Sequence, residues 1–350
     1  MMGMMWRTRM LPAVVALFGA LWCCAAAHAQ APDTILLNGK VIRYEAEPAQ
    51  ALAVRAGRIA AIGDTSDIQA LAGPATRVID LGGRTVIPGL IDSHIHAIRA
   101  GLTYTTEVHW IGVRTLREAL ARIRDKAATV PKGSWLVVAG GWTERQFAED
   151  RLPTQAEIAA AAPDHHVYVQ LLYSRVLLDP GGYDALGIAR DASLAARVTI
   201  ERGRDKVPTG WLTGDARTVS DLFNLLPRPS FAQKVEGTRA FFRALNAVGL
   251  TGVLDPGGYN LPIQDYQPLF KVWRDGDLTL RMRYSLCAPR RGHELEDFKD
   301  LTQVLPMGFG DDWLRFNGIG ENVTWGLYNN DTPTDAQKQQ LFEVLQWAVS

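Results

Sequence analysis

Beyond residue 88 the sequence alternates between short apolar runs and longer segments with helical spacing. The segment 115–130 carries apolar residues three or four positions apart, which is typical of an amphipathic helix. The run WLVVAGGW at 135–142 is continuously apolar, as in strands buried on both faces of a sheet. Strands that alternate with helices predict parallel β/α units, so the predicted fold class is α/β.

This alternation continues to the end of the sequence. Strands are predicted at 166–174, 250–258, 278–287 and 314–326, and helices at 231–249, 295–305 and 335–350. No phosphate-binding glycine loop follows the first strand, which disfavours a dinucleotide-binding fold. A TIM-type (β/α) barrel is preferred, with ligands at the carboxyl ends of its strands. About half of the eight barrel strands can be placed, so the barrel is predicted to be incomplete in this chain.

Residues 30–87 show a different sequence pattern, in which glycines separate short runs of β-forming residues. Asn38-Gly39 and Gly82-Gly83 are turn signals of the kind that join hairpin strands. We therefore predict a small N-terminal β-sandwich module over 30–87, followed by the partial barrel over 88–350.

The first 29 residues resemble a secretory signal peptide. Arg7 and Arg9 precede an apolar run that ends in the small-residue pattern Ala27-His28-Ala29, which predicts cleavage before Gln30 and export to the periplasm or the medium. An uncleaved membrane anchor is the alternative, because the run approaches the length of a membrane span. The mature chain would keep one cysteine, Cys287, so no internal disulfide is expected.

The charge balance limits the classes of partner. The chain has 37 basic and 37 acidic side chains, and this balance gives no support to a nucleic-acid or anionic-membrane partner. We expect a small-molecule substrate and no stable membrane insertion after signal cleavage. The sequence leaves the oligomeric state open.

The segment PGLIDSHIH, residues 88–96, is the strongest candidate for a site. On a β-strand Asp92, His94 and His96 would project from one face, because side chains alternate between faces. Two imidazoles held in this way suit zinc, iron, nickel or copper. The alternative is a polar face that only forms hydrogen bonds.

A β-module that leads directly into PGLIDSHIH resembles the metal-dependent amidohydrolase superfamily. Within it, the chain resembles amidohydrolase family 3, the YtcJ-like branch, over residue 34 to the end. Supporting segments are VVAGGWTERQFAEDRLPTQAEI at 137–158, AVGLTGVLDPGG at 247–258 and LRFNGIGENVTWG at 314–326.

The resemblance implies that His94 and His96 are metal ligands on the first barrel strand. Glu321 falls where many members carry a carboxylated lysine, and its carboxylate is expected to complete a site for one or two divalent ions, with zinc preferred. The expected reaction is hydrolysis of an amide or cyclic amide, a carbon–nitrogen bond other than a peptide bond. The metal would lower the pKa of a bound water from 15.7 to about 7.

The resemblance also implies a catalytic aspartate and two more histidine ligands, which are expected beyond Ser350. On that basis the 350-residue chain alone is expected to be inactive and poorly stable. A non-catalytic or fragmentary exported barrel protein is the alternative function, and a phosphoesterase with the same histidine pair is disfavoured by the β-module.

Two further side chains are predicted to bind substrate. Trp142 follows the second predicted strand and could line a pocket, with packing at the barrel rim as the alternative. Arg175 could pair with a substrate carboxylate, or form a surface salt bridge instead. The remaining histidines of the mature chain are predicted not to be ligands: His109, His165, His166 and His293.

Overall fold

The structure, a computed structural model, describes residues 30–258, 261–327 and 332–350. The predicted signal segment, 1–29, lies outside these residues. The chain divides into two compact units, the first ending at Pro88 and the second beginning at Gly89. Across the described ranges, every helix is too short or too polar to cross a membrane.

The first unit is built mainly from short strands. In chain order its elements are β1 Thr34–Leu37, β2 Lys40–Arg43, β3 Ala46–Ala49, β4 Ala51–Arg55, β5 Arg58–Gly63, α1 Thr65–Gln69, β6 Arg77–Asp80 and β7 Thr85–Val86. They form two sheets, with strand orders β5-β4-β1-β6 and β3-β2-β7. Ile35 and Leu37 are buried in one cluster while Leu36 packs against another, as the alternation of side chains along a strand requires. The β-sandwich arrangement stays a prediction.

The second unit alternates between strands and helices. Its strands are β8 Leu90–Asp92, β9 Trp135–Val138, β10 His166–Leu171, β11 Arg175–Leu178, β12 Thr199–Arg202, β13 Pro208–Thr213, β14 Leu250–Asp255, β15 Arg281–Leu286 and β16 Leu314–Ile319. Its α-helices are α2 Ala97–Thr103, α3 Leu116–Ala127, α4 Gln155–Ala161, α5 Gly182–Ala185, α6 Ala192–Arg197, α7 Ala216–Asn224, α8 Phe231–Ala247, α9 Gln267–Arg274, α10 Glu294–Val304 and α11 Asp335–Ala348. Short 3-10 helices span Glu144–Gln146, Ile188–Arg190, Ile263–Tyr266 and Trp325–Leu327.

The helices predicted from periodicity are confirmed at α3, α8, α10 and α11. Side-chain caps fix where three of them begin, because a cap satisfies backbone N–H groups that lack a partner in the first turn. The Thr115 side chain accepts the Glu118 N–H at α3, and capping boxes start α8 at Ser230 and α11 at Thr334.

One parallel sheet of the second unit has the strand order β16-β15-β14-β8. All of its pairings are parallel, so the carboxyl ends of the four strands meet at one edge. Its buried side chains, including Met282, Tyr284 and Phe316, form a core with α2, α8 and α9. In this way the sheet confirms the predicted parallel β/α units, and its edge is where a site is expected.

The other sheet of this unit has the order β12-β13-β11-β10-β9. The run 135–142, predicted as the second strand of the β/α series, is not the neighbour of β8, because β8 pairs directly with β14. β9 pairs instead with β10. The predicted burial of this strand on both faces is confirmed, since Leu136 and Val138 pack in one cluster while Val137 packs against another. Such a run does not identify its neighbouring strand. Within the described ranges the strands form separate sheets.

Candidate metal centre

The two histidines of PGLIDSHIH lie in the turn between β8 and α2. β8 ends at Asp92, and His96 occupies the N-cap position of α2, so the expectation that both histidines project from one strand was wrong. The Asp92 Oδ1 atom accepts the backbone N–H of His94 at 2.9 Å, which stabilises this turn. The N–H of Ile95 still bonds to the Leu254 carbonyl at 3.1 Å, and this bond holds the turn against the end of β14.

Glu321 reaches the same edge from the end of β16. Its backbone N–H donates to the Pro256 carbonyl at 2.7 Å, and the N–H of Gly320 donates to the Leu286 carbonyl at 2.6 Å. A Cβ atom at position 320 would lie 2.5 Å from the Pro256 oxygen and 2.7 Å from the Cys287 Sγ. Glycine therefore permits this close approach, which places Glu321 beside the β8–α2 turn.

His94, His96 and Glu321 come together as one cluster. The His94 Nε2 lies 2.8 Å from Glu321 Oε2, and the His96 Nε2 lies 3.5 Å from Glu321 Oε1. One candidate ligand atom from each residue falls within 4.8 Å of the others. Two imidazole nitrogens and a carboxylate oxygen suit a divalent transition metal. The donor set and its spacing thus fit such an ion, and the partial exposure of all three side chains leaves room for a ligand.

The His96 ring has a second unusual feature. Its Nδ1 atom is buried and has no hydrogen-bond partner among the described residues. Such unpaired polar atoms are rare in folded proteins, and they recur at functional sites.

Asp255, the last residue of β14, stabilises the β8–α2 turn through hydrogen bonds. It is 1% exposed, and its carboxylate accepts the N–H groups of Ile98 at 2.8 Å and Gly257 at 2.9 Å. Burial raises the pKa of Asp255 to about 6, while its hydrogen bonds and His96 act in the opposite direction. Through its hydrogen bonds to backbone N–H groups, Asp255 positions the β8–α2 turn.

Burial also raises the pKa of the Cys287 thiol to about 12, so Cys287 is not a thiolate near neutral pH.

A cleft of about 260 Å³ opens beside His96. We call it the His96 cleft, and its lining includes His96, Arg99, Tyr104, Glu107, Phe223 and Phe241. Apolar walls with a few convergent polar groups are typical of small-molecule sites. The cleft is therefore a suitable approach for a substrate to the cluster.

The two predicted substrate-binding residues lie elsewhere. Trp142 is 3% exposed, packs on Trp110 and donates its indole N–H to the Gln170 carbonyl at 2.9 Å. This core position corrects the expectation that it lines a pocket, because a buried indole with its N–H already paired has no free surface for a ligand. Arg175 lies 3.6 Å from the Glu201 carboxylate, the surface salt bridge that the sequence left as the alternative.

Three histidines predicted not to be ligands have hydrogen-bond partners of their own. His109 Nε2 lies 2.7 Å from the Tyr104 carbonyl, and His166 and His293 lie 3.2 and 3.0 Å from carboxylates. Sequence reasoning missed Arg99, whose side chain lines the His96 cleft. The available signal was its position three residues after His96, in the first turn of the helix that follows.

Comparisons with known proteins show which family the chain resembles. The family model described as "Amidohydrolase family" matches residues 77–343. Protein LONG AFTER FAR-RED 3 of Arabidopsis thaliana is 28% identical over 314 residues, covering 85% of this chain and 51% of that protein. N-substituted formamide deformylase of Arthrobacter pascens is 29% identical over 232 residues, covering 65% of this chain and 43% of that enzyme. The chain thus spans about half the length of these curated relatives.

A solved structure is also similar in fold. An uncharacterised metal-dependent hydrolase from Pyrococcus furiosus aligns with a TM-score of 0.54 at 19% identity, covering 82% of this chain and 55% of the other. At this identity the likeness concerns the fold alone, and it supports an α/β architecture of the metal-hydrolase type.

Proposed function

Because the chain belongs to amidohydrolase family 3, we propose that it is a metal-dependent hydrolase of carbon–nitrogen bonds other than peptide bonds. The substrates are amides or cyclic amides. The relative named as a formamide deformylase supports this choice of bond. Because the chain spans about half the length of its relatives, the proposal concerns the activity of the full-length protein.

The cluster of His94, His96 and Glu321 is the observation that carries the proposal. These three residues would hold the ion, and we propose zinc, in one or two sites, from the nitrogen and oxygen donors. A bound divalent ion supplies Lewis-acid polarisation of the amide carbonyl and lowers the pKa of water at the site.

The protein's own residues prepare this site. Asp92 accepts the backbone N–H of His94 and Asp255 accepts that of Ile98, so hydrogen bonds hold the backbone that carries the two histidines. Pre-organised ligands lose less entropy on binding. Phe223 and Phe241 in the His96 cleft offer apolar contact to a substrate side chain.

Metal content tests the assignment directly. The full-length protein and the double variant His94→Ala, His96→Ala would be analysed by elemental mass spectrometry after dialysis against limiting zinc. We expect the wild type to retain at least one ion per chain and the double variant to lose it. Glu321→Gln should weaken zinc binding by about tenfold or more, because ligand-set changes of this kind cost at least as much as loss of a supporting contact.

His293→Ala is the matched control, since His293 is exposed and lies 3.0 Å from the Glu296 carboxylate. It should load zinc like the wild type. Unchanged loading of the double variant would refute the site. Zinc loading without hydrolysis of any amide, tested across formamides, acetamides and cyclic imides, would refute the reaction while keeping the site.

We also propose that the protein is exported, as the basic and apolar pattern of residues 1–29 predicts. Cell fractionation should recover a chain that begins at Gln30 outside the cytoplasm. Recovery of an uncleaved chain in the cytoplasm would contradict this.

A further inference from the structure

Arg99 lines two cavities of the second unit. It lines the His96 cleft and also an inner cavity of about 70 Å³, whose lining includes Thr103, Glu107, Phe223 and Lys234. Thr103, Glu107 and Phe223 are shared by both cavities, as Arg99 is. A group bound in the His96 cleft would therefore lie within reach of both His96 and Arg99.

The guanidinium of Arg99 forms no direct ion pair with a carboxylate among the described residues, although the charges of Glu107 and Asp265 act on it through space and raise its pKa. It has neither a hydrogen bond nor a carboxylate within 4.0 Å there, and it stacks on Phe223 with 4.4 Å from Cζ to the ring centroid. Burial lowers the pKa of Arg99 by more than these charges raise it, but an arginine remains charged near neutral pH. A charge that is removed from water without a partner is costly, and an anionic ligand would offset this cost.

The neighbouring cations differ from Arg99 in this respect. Lys234 and Arg228, which also line the inner cavity, lie 2.6 and 3.3 Å from the Asp265 carboxylate. Glu107 accepts a hydrogen bond from the Thr103 hydroxyl, and burial raises the pKa of its carboxyl. Three cations and two carboxylates therefore line the inner cavity, and within the described part of the chain Arg99 is the one of these cations with no carboxylate within 4.0 Å.

We propose that Arg99 binds a carboxylate carried by the substrate, so that the full-length enzyme prefers anionic amides such as N-acyl amino acids. This rests on the proposed function, because it assigns a substrate class to the same site. His96 is the N-cap residue of α2 and Arg99 lies in its first turn, and both side chains line the His96 cleft. A carboxylate at Arg99 then leaves the amide a few atoms away, near His96.

The geometry favours Arg99 over the arginine proposed from sequence. Arg175 lies 3.6 Å from Glu201, and its Cζ lies 5.9 Å from the Trp211 ring centroid. It does not appear in the lining of either cavity among the described residues. Since both arginines lie over an aromatic ring, Arg175→Met is a matched control for Arg99→Met.

Binding would be measured by calorimetry with hydrocinnamate and the uncharged hydrocinnamyl alcohol on the metal-loaded full-length protein. Neither probe contains a carbon–nitrogen bond, so the result does not depend on hydrolysis. We expect the wild type and Arg175→Met to bind hydrocinnamate about tenfold more tightly, as a charge-assisted bidentate pair allows. Arg99→Met should lose this preference, and Arg99→Lys should retain part of it.

Two results would overturn the proposal: equal affinity of the wild type for both probes, or a preference that survives in Arg99→Met, as direct binding of the carboxylate to the metal would produce. In a second experiment, hydrolysis is measured as formate release from N-formylphenylalanine and from its uncharged carboxamide. Anion preference in binding without hydrolysis would refute the proposed reaction for these substrates and keep the role of Arg99.

Discussion

Gly237→Ala tests how closely α2, which carries Arg99, must approach α8. Gly237 is buried in α8, and a Cβ atom there would lie 2.3 Å from the carbonyl oxygen of Gly101 in α2. The reverse contact is also tight, since a Cβ atom on Gly101 would lie 3.0 Å from the Cα of Thr238. The two glycines thus set the distance between the helices.

Two effects of opposite sign compete in this substitution. Alanine in a helix interior is favoured over glycine by about 1 kcal/mol. The clash is with backbone, which no side-chain rotation relieves, so the helices must separate by about 1 Å. Overpacking of this kind costs about 1–3 kcal/mol, and a gap of that size forfeits a quarter to a half of each affected contact. The contacts at risk include Ile98, Leu102 and Phe242. We therefore expect a net loss of about 1–2 kcal/mol.

Urea unfolding monitored by circular dichroism measures this loss, and zinc titration measures its effect on the site. Glu236→Ala, at an exposed position of the same helix, is the control and should change stability by less than about 0.5 kcal/mol. Gly237→Ala should also weaken zinc binding, because His96 is the N-cap residue of α2. Stability equal to or above that of the wild type would refute the argument from helix approach.

Two other substitutions address pH dependence and the tryptophan. The hydrogen bond from Arg151 is the largest cause that lowers the pKa of Glu157 to about 2 from 4.5, so its stabilising contribution is present above about pH 4.5 and is lost as the pH falls toward 2. Glu157→Gln should show a smaller loss of stability over that range in acid titrations, and identical curves would contradict this. Trp142→Phe removes the hydrogen bond to Gln170 and should cost about 1 kcal/mol without changing the KM for substrate; a several-fold change in KM would return Trp142 to the substrate site.

Local elements could be read from the sequence because local physics determines them. α3, α8 and α11 follow from apolar spacing and from caps that lie within a few residues of each helix start. The apolar face of each helix packs against the protein interior whichever elements surround it, so the apolar periodicity alone is enough to predict the helix. The pair of His94 and His96 was recognised for a similar reason, since its donor chemistry is explicit in the residues.

Partners across the chain were decided by tertiary structure. The sequence shows that β9 is buried, but only the fold shows that β14 is the strand beside β8. Trp142 and Arg175 were assigned to a pocket from their places in the chain, whereas core packing and a salt bridge engage them. Arg99 carries no motif, and its proposed role depends on which groups the fold places around it. Pairing over long sequence separations depends on packing that residue spacing does not encode.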